Sequence, residues 1–119
     1  MGVSASTPER SVEAARSLGV PRGYASGLEA ALDKDVNVIH ICTPNSLHME
    51  VAKAALEAGK HVICEKPLCL NLAEADRMIE ACLQANVKLM YADELCFAPK
   101  YERAIATSSA TATCTTRCS

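Results

Sequence analysis

The chain has 119 residues, of which half are hydrophobic but only 3% aromatic, and a formal net charge of -2. This length allows at most one domain with a core of its own, and the charge gives no basic surface of the kind that nucleic-acid binding uses. The apolar runs are too short to cross a bilayer, and no signal segment opens the chain. We therefore expect a cytoplasmic protein without nucleic-acid or membrane partners.

The first third of the chain predicts short elements with clear helix starts. The predicted elements are the end of a strand within 1–6, a helix over 8–18, a very short strand at 24–25 and a helix from 26 to about 32. Thr7, Pro8 and Glu9 supply a capping hydroxyl, a first-turn proline and an acidic residue near the helix dipole. Gly19 is expected to end that helix, and Ser26 opens the next one with a capping box.

From residue 36 to residue 91, apolar strand-like runs alternate with helical patterns. The predicted elements are a strand at 38–42, a helix over about 46–58, a strand at 61–64, a helix that opens after Asn71 and a strand at 87–91. Asn45 is predicted to cap the helix over 46–58 and Gly59 to end it. Asn86 is predicted to take the left-handed position after the helix that opens at Asn71. The strand at 38–42 is apolar on both faces, so we expect helices on each side of it. This alternation is typical of an α/β fold with a parallel sheet and right-handed crossovers.

Seven cysteines are spread along the chain without any Cys-x-x-Cys pair. An odd number at dispersed positions, with no secretory signal, disfavours a disulfide framework. Zinc sites usually contain close ligand pairs, which neither the cysteines nor His40, His48 and His61 provide. We predict reduced thiols, most of them buried, and no metal site. A thiol or metal protein is the least favoured class.

Glu65, Lys66 and Pro67 stand directly after the predicted strand at 61–64. A Glu-Lys pair is unusual at the tip of an apolar strand, because burial of either charge alone is costly. The proline restricts the backbone of Lys66 and fixes the direction in which the chain leaves the strand. Ligands of open α/β sheets bind outside the carboxyl ends of the strands, so a chemically active lysine would stand here. The alternative is a solvated turn, and the local sequence does not decide between the two.

Three segments together, residues 41–48, 55–62 and 64–68, resemble the Gfo/Idh/MocA oxidoreductases, such as glucose-fructose oxidoreductase and inositol 2-dehydrogenase. The resemblance extends from residue 1 to about 104. Its specific motifs are a Thr-Pro-Asn-x-x-His turn and a Gly-Lys-His-Val-x-x-Glu-Lys-Pro strand. It implies a Rossmann-like domain that binds NAD or NADP, followed by a domain that binds a sugar, a polyol or a related alcohol. The implied activity is that of a dehydrogenase.

The resemblance also implies roles for individual residues. Lys66 would lie beside the nicotinamide and the reacting hydroxyl as the catalytic residue, where a cation orients the substrate oxygen and stabilises developing charge. Glu65 would shape the cofactor pocket and steady Lys66. The residues implied to bind the cofactor at these motifs are Thr43, Pro44, Asn45, His48, Glu65, Lys66 and Pro67. For His48, a packing or helix-surface histidine is the alternative.

The residues implied to meet the adenosine ribose are Ser6, Thr7 and Arg10. An acidic residue at this place would bind the ribose 2′-hydroxyl and favour NAD. None is present, and hydroxyls beside Arg10 suit a 2′-phosphate, so the pattern leans toward NADP. A solvated helix residue is the alternative for Arg10.

The chain departs from the family pattern at both ends. The family opens with a strand, a Gly-x-Gly-x-x-Gly turn and a helix, whereas residue 1 falls inside the second strand. We therefore predict an incomplete Rossmann-like parallel sheet that lacks its first strand and glycine-rich turn, and that has exposed edges in its middle. The predicted organisation is a partial NAD(P)-binding domain at 1–92, the start of a crossover to an absent substrate domain at 93–104, and a disordered low-complexity tail at 105–119. For the tail, a reading-frame change after Ala104 is favoured over a natural extension.

These departures leave two classes of function open. The first is a fragment of an NAD(P)-dependent dehydrogenase that, as an isolated chain, transfers no hydride and binds dinucleotide weakly or not at all. The second is a non-catalytic remnant that binds a nucleotide or pairs with another chain through its open edges. Either class is compatible with a homo-oligomer, and the residues that select the substrate are expected in the absent domain.

Overall fold

The computed structural model describes residues 1–93, 98–101 and 103. Strands and helices alternate along them: β1 (Gly2–Ser4), α1 (Pro8–Leu18), β2 (Arg22–Tyr24), α2 (Gly27–Leu32), β3 (Val38–Ile41), α3 (His48–Glu57), β4 (His61–Glu65), α4 (Leu72–Ala85) and β5 (Leu89–Ala92). The predicted tail and half of the predicted crossover, residues 94–97, 102 and 104, lie outside the described residues. No helix in the described part of the chain is long and apolar enough to span a membrane.

All strand pairs in the described residues are parallel, which confirms the predicted α/β class. The strands form two separate sheets, one with the order β1-β2 and one with the order β3-β4-β5. Within the described residues, β1 therefore pairs only with β2, and β3 only with β4. This interruption confirms the predicted exposed edges in the middle of the sheet. Helix α2 packs between the part of the chain that contains the two-stranded sheet and the part that contains the three-stranded sheet, since it contacts both β1 and α3.

Three predicted helix ends that depend only on neighbouring residues are confirmed: the caps at Thr7 and Asn71 and the left-handed Asn86. The hydroxyl of Thr7 accepts a bond of 3.3 Å from the backbone N–H of Arg10, at the start of α1. Asn71 accepts one of 3.0 Å from the N–H of Glu74. Asn86 has a φ of 52°, which is the left-handed position predicted after α4.

The predicted start of the helix after β3 is wrong. The residues Asn45–Leu47 form a 3₁₀ turn, closed by a 2.9 Å bond from the N–H of Leu47 to the carbonyl of Pro44, and α3 begins only at His48. The side chain of Asn45 makes no capping bond. The chain therefore enters α3 through a tight turn, which brings His48 under the loop instead of leaving it on the helix surface.

The core lies between the three-stranded sheet and the helices α3 and α4. Its fully buried members include Ile41 and Val62 on the strands, and Leu56 and Met78 on the helices. The other face of β3 is not covered by described residues, because Val38 is 49% exposed and His40 is also exposed. The prediction that helices cover both faces of β3 is therefore wrong for this part of the chain.

The four described cysteines are free thiols, and only Cys64 among them is buried. Cys42 is exposed, while Cys69 and Cys82 are partly buried. The expectation that most cysteines lie in the core is thus wrong for Cys42, which stands just beyond the end of β3. The other cysteines lie outside the described residues.

The carboxylate of Asp33 gives a prediction for the pH dependence of stability. A 2.6 Å bond from the Tyr24 hydroxyl, the backbone N–H of Asp35 and the Arg22 guanidinium lower the pKa of Asp33 from 3.8 to about 2. A lowered pKa means that this stabilisation is present above pH 3.8 and is lost as the pH falls through about 2. We expect Asp33→Asn to flatten the dependence of the urea midpoint on pH across this interval. The matched variant Asp76→Asn, at an exposed position of α4, should keep the wild-type slope; equal slopes in both variants would contradict the assignment.

Candidate functional site

Two loops meet at the carboxyl ends of β3 and β4, which confirms that the predicted motifs lie at one edge of the sheet. The first is the turn at residues 43–45 after β3, and the second is the segment after Glu65, the last residue of β4. The Lys66 side chain is exposed there, and the peptide bond between Lys66 and Pro67 is cis. An exposed cation at this edge stands where ligands of parallel sheets bind.

His48 joins the two loops. Its ring is only 1% exposed, with Nδ1 at 2.8 Å from the carbonyl oxygen of Pro67 and Nε2 at 2.8 Å from that of Thr43. Carbonyl oxygens can only accept hydrogen bonds, so a ring with protons on both nitrogens satisfies both partners, whereas a neutral ring satisfies one. Thus His48 fixes the distance between the turn after β3 and the loop that carries Lys66. Its predicted direct contact with a cofactor stays a prediction.

The turn after β3 contains a polar atom without a partner. The Oγ1 atom of Thr43 is buried and has no hydrogen-bond partner among the described residues. A buried hydroxyl in this condition is costly unless a further group supplies the bond. Pro44 and Asn45, which follow it, are exposed. The turn therefore combines an exposed tip with a buried hydroxyl that lacks a partner among the described residues.

The two thiols near this edge have pKa values above the ordinary range. Burial, followed by the charges of Cys69, Glu65 and Cys42, raises the pKa of the Cys64 thiol to about 11. Burial and the Glu65 carboxylate also raise the pKa of Cys42. Neither thiol is therefore an activated nucleophile at neutral pH.

Ser6, Thr7 and Arg10 form a second group, just beyond the carboxyl end of β1. The Arg10 guanidinium donates a 3.2 Å bond to the Ser6 hydroxyl, and Thr7 caps α1. All three side chains are exposed. A guanidinium beside a hydroxyl offers several donors to an anionic group.

The structure also brings together three residues whose proximity the sequence analysis missed. One potential ligand atom each of His40, Cys42 and Glu65 lies within 4.8 Å of the other two. The prediction of no metal site rested on spacing along the chain, but parallel pairing of β3 with β4 places distant residues side by side. The sequence did contain a signal for this proximity. His40 and Cys42 alternate on one face of a predicted strand, and Glu65 directly follows the strand predicted to pair with it.

Residues 1–93 match the family described as "Oxidoreductase family, NAD-binding Rossmann fold". The chain is 41% identical over 90 residues to levoglucosan dehydrogenase from Pseudarthrobacter phenanthrenivorans, covering 76% of this chain and 23% of that protein. It is 42% identical over 81 residues to myo-inositol 2-dehydrogenase from Thermotoga maritima, covering 68% of this chain and 24% of that protein. A solved structure of levoglucosan dehydrogenase in complex with NADH and levoglucosan superposes with a TM-score of 0.69 at 42% identity, over 75% of this chain and 24% of that one.

The chain spans about a quarter of the length of these curated relatives. The family match nevertheless covers most of the chain, and the motifs at residues 41–48 and 61–67 lie within it. The protein therefore belongs to the Gfo/Idh/MocA family of oxidoreductases with an NAD-binding Rossmann fold.

Proposed function

We propose that this chain binds a nicotinamide dinucleotide across the carboxyl ends of its strands and contributes Lys66 to a dehydrogenase acting on a sugar, a polyol or a related alcohol. The observation that carries the proposal is the His48 bridge, which holds the loop of Lys66 against the turn after β3. The relatives named as dehydrogenases of levoglucosan and of myo-inositol support the substrate class.

The residues fit such a cofactor in distinct ways. Thr43, Pro44 and Asn45 would line it, since Pro44 and Asn45 are exposed at the tip of the turn. Glu65 and Pro67 would shape the pocket on either side of Lys66. When bound, the nicotinamide supplies hydride acceptor and donor chemistry.

Lys66 would act on the substrate oxygen. Its ammonium group orients the hydroxyl and stabilises the negative charge that develops on the oxygen as the bond from carbon to hydride breaks. Because Lys66 is exposed and follows β4 directly, its backbone is held while its side chain can reach outward. His48 would hold the two loops in place, since its ring is buried against two carbonyl groups.

We further propose a preference for NADP over NAD. The support is the Arg10 guanidinium beside the Ser6 hydroxyl, next to the capping Thr7, at the end of β1. No acidic side chain occupies residues 4–8, where one would favour a free 2′-hydroxyl. A cytoplasmic location and a homo-oligomer stay predictions.

Titration of the 119-residue chain with NADP and with NAD, followed by amide shifts in NMR spectra, tests the binding proposal. We expect weak binding, with shifts concentrated at Asn45, Glu65 and Lys66, and larger shifts with NADP than with NAD. Arg10→Gln should remove the difference between the two dinucleotides. Lys66→Met should reduce the shifts, whereas Lys88→Met, at an exposed position before β5, should leave them unchanged.

Dispersed spectra that do not change with either dinucleotide would overturn the binding proposal. Equal shifts with both dinucleotides in the wild-type chain would overturn only the preference for NADP. Shifts that ignore Lys66 and cluster elsewhere would remove the assigned site while leaving the family membership intact.

A further inference from the structure

Three chemically different metal-binding donors converge at the ends of β3 and β4. They are the imidazole of His40, the thiol of Cys42 and the carboxylate of Glu65, with ligand atoms within 4.8 Å of one another. The Nε2 atom of His40 is already 3.2 Å from Oε1 of Glu65. Such separations are close to those that three ligands of one small cation require.

The parallel register explains why these side chains share one place. Ile41 pairs with Cys64, so the next residues along the two strands, Cys42 and Glu65, stand side by side. His40 lies two residues before Cys42 and therefore projects from the same face. The buried Ile41 and Cys64 alternate with this set and project toward the helices.

The face that carries the three donors is open to solvent in the described part of the chain. The side chain of His40 is 51% exposed and that of Glu65 is 36% exposed. Cys42 is also exposed. An ion can therefore reach all three ligands without displacing any part of the core.

The donor set selects the kind of metal. Nitrogen, sulfur and oxygen ligands from one residue each suit a borderline cation such as Zn²⁺, whereas Mg²⁺ and Ca²⁺ require mostly oxygen ligands. Three protein ligands with one position left for water are the usual arrangement of an open tetrahedral zinc site. A divalent cation also compensates the two negative charges that a Cys42 thiolate and the Glu65 carboxylate bring together.

We propose that His40, Cys42 and Glu65 form a binding site for Zn²⁺. On binding, the Cys42 thiol releases its proton to solvent and its sulfur bonds to the metal, while His40 coordinates as a neutral imidazole through Nε2 and Glu65 as a carboxylate. No electron is transferred, and water completes the coordination. The proposal does not rest on dinucleotide binding.

Co²⁺ reports on this site directly, because a bond from thiolate to cobalt gives a charge-transfer absorption that oxygen and nitrogen ligands alone do not. The reduced 119-residue chain, without dinucleotide, is titrated with Co²⁺ and then with Zn²⁺. We expect one equivalent of Co²⁺ to produce the absorption and one equivalent of Zn²⁺ to abolish it. Cys42→Ser should eliminate the absorption, while His40→Gln should weaken Zn²⁺ binding by about tenfold or more, since outer partners of metal ligands alone are worth that much.

Matched cysteine variants separate this site from the other thiols. Cys69→Ser, and a triple replacement of Cys96, Cys114 and Cys118 by Ser, should keep the absorption. Circular dichroism of each variant checks that the fold persists, and Cys42 and His40 are exposed enough for their replacement to spare the core.

An absorption that survives in folded Cys42→Ser would overturn the proposal, as would unchanged Zn²⁺ affinity in folded His40→Gln. Absence of any absorption in the wild-type chain would show that the contact between His40 and Glu65 is only a surface hydrogen bond. None of these outcomes bears on the dinucleotide titration, which is performed with a chelator present.

Discussion

Replacement of Leu56 by Ala is expected to lower the free energy of unfolding by about 2–5 kcal/mol. Leu56 is completely buried on α3, in the cluster that includes Val62 of β4 and Met78 of α4. The substitution removes buried methyl groups and leaves a cavity at the place where strand and both helices meet. The free energy of unfolding of an ordinary domain is only about 5–15 kcal/mol, so this substitution would remove a large part of it. Urea unfolding, followed by circular dichroism, measures the change.

Leu83→Ala is the matched control, since Leu83 is also a helical leucine but is 74% exposed on α4. It should change the free energy of unfolding by less than about 0.5 kcal/mol. Similar losses for the two variants would mean that the core does not lie between α3, α4 and the three-stranded sheet.

Replacement of His48 by Leu is expected to have the second largest effect. It should lower the free energy of unfolding and also change the loop that carries Lys66. Leu keeps the apolar volume but removes both ring nitrogens, so the carbonyl groups of Thr43 and Pro67 lose their partners. A fully buried acceptor left unpaired costs about 1–3 kcal/mol, and these two contacts are partly buried, so we expect a loss toward the lower end of that range. The loops should also separate, which shifts the amide resonances of Lys66 and of the turn after β3 even without ligand.

His48→Gln tests whether the bridge itself matters. Its amide donates to one of the two carbonyl groups, so we expect an intermediate loss of stability and smaller shifts at Lys66. His40→Gln, at an exposed position and in the presence of a chelator, should cost little. If His48→Leu lowers stability but leaves the amide of Lys66 unshifted, the ring is a packing element and does not position the loop.

The sequence predicted best those features that a few adjacent residues determine. The caps at Thr7 and Asn71 and the left-handed Asn86 depend on contacts within four residues, and the structure contains all of them. The order of elements followed from the alternation of apolar runs with helical patterns. Motif spacing placed the turn after β3 and the loop of Lys66 at one edge because parallel strands share their carboxyl ends.

The sequence failed where the outcome depends on residues far along the chain. The contact between His48 and Pro67 joins residues 19 positions apart, and nothing local to His48 indicates that its ring turns inward. The 3₁₀ turn before α3 was missed for the same reason. It accompanies the contact of the His48 ring with Pro67, which is distant along the chain. The exposure of Val38 and His40 was also missed, because composition shows that a strand face is apolar but not whether another element covers it.

The division of the strands into two sheets changes which strands are protected from amide hydrogen exchange. In a continuous parallel sheet the inner strands exchange slowest, because each has a neighbour on both sides. In the described part of this chain only β4 has that protection, since it lies between β3 and β5, while β1 and β3 each present one row of backbone groups without a strand partner. Among the strand amides, slow exchange should therefore be confined to residues 62–64 of β4, and the two strands next to the interruption should exchange as outer strands do. The strands that precede both groups of candidate site residues, β1 and β3, would thus open more readily than β4.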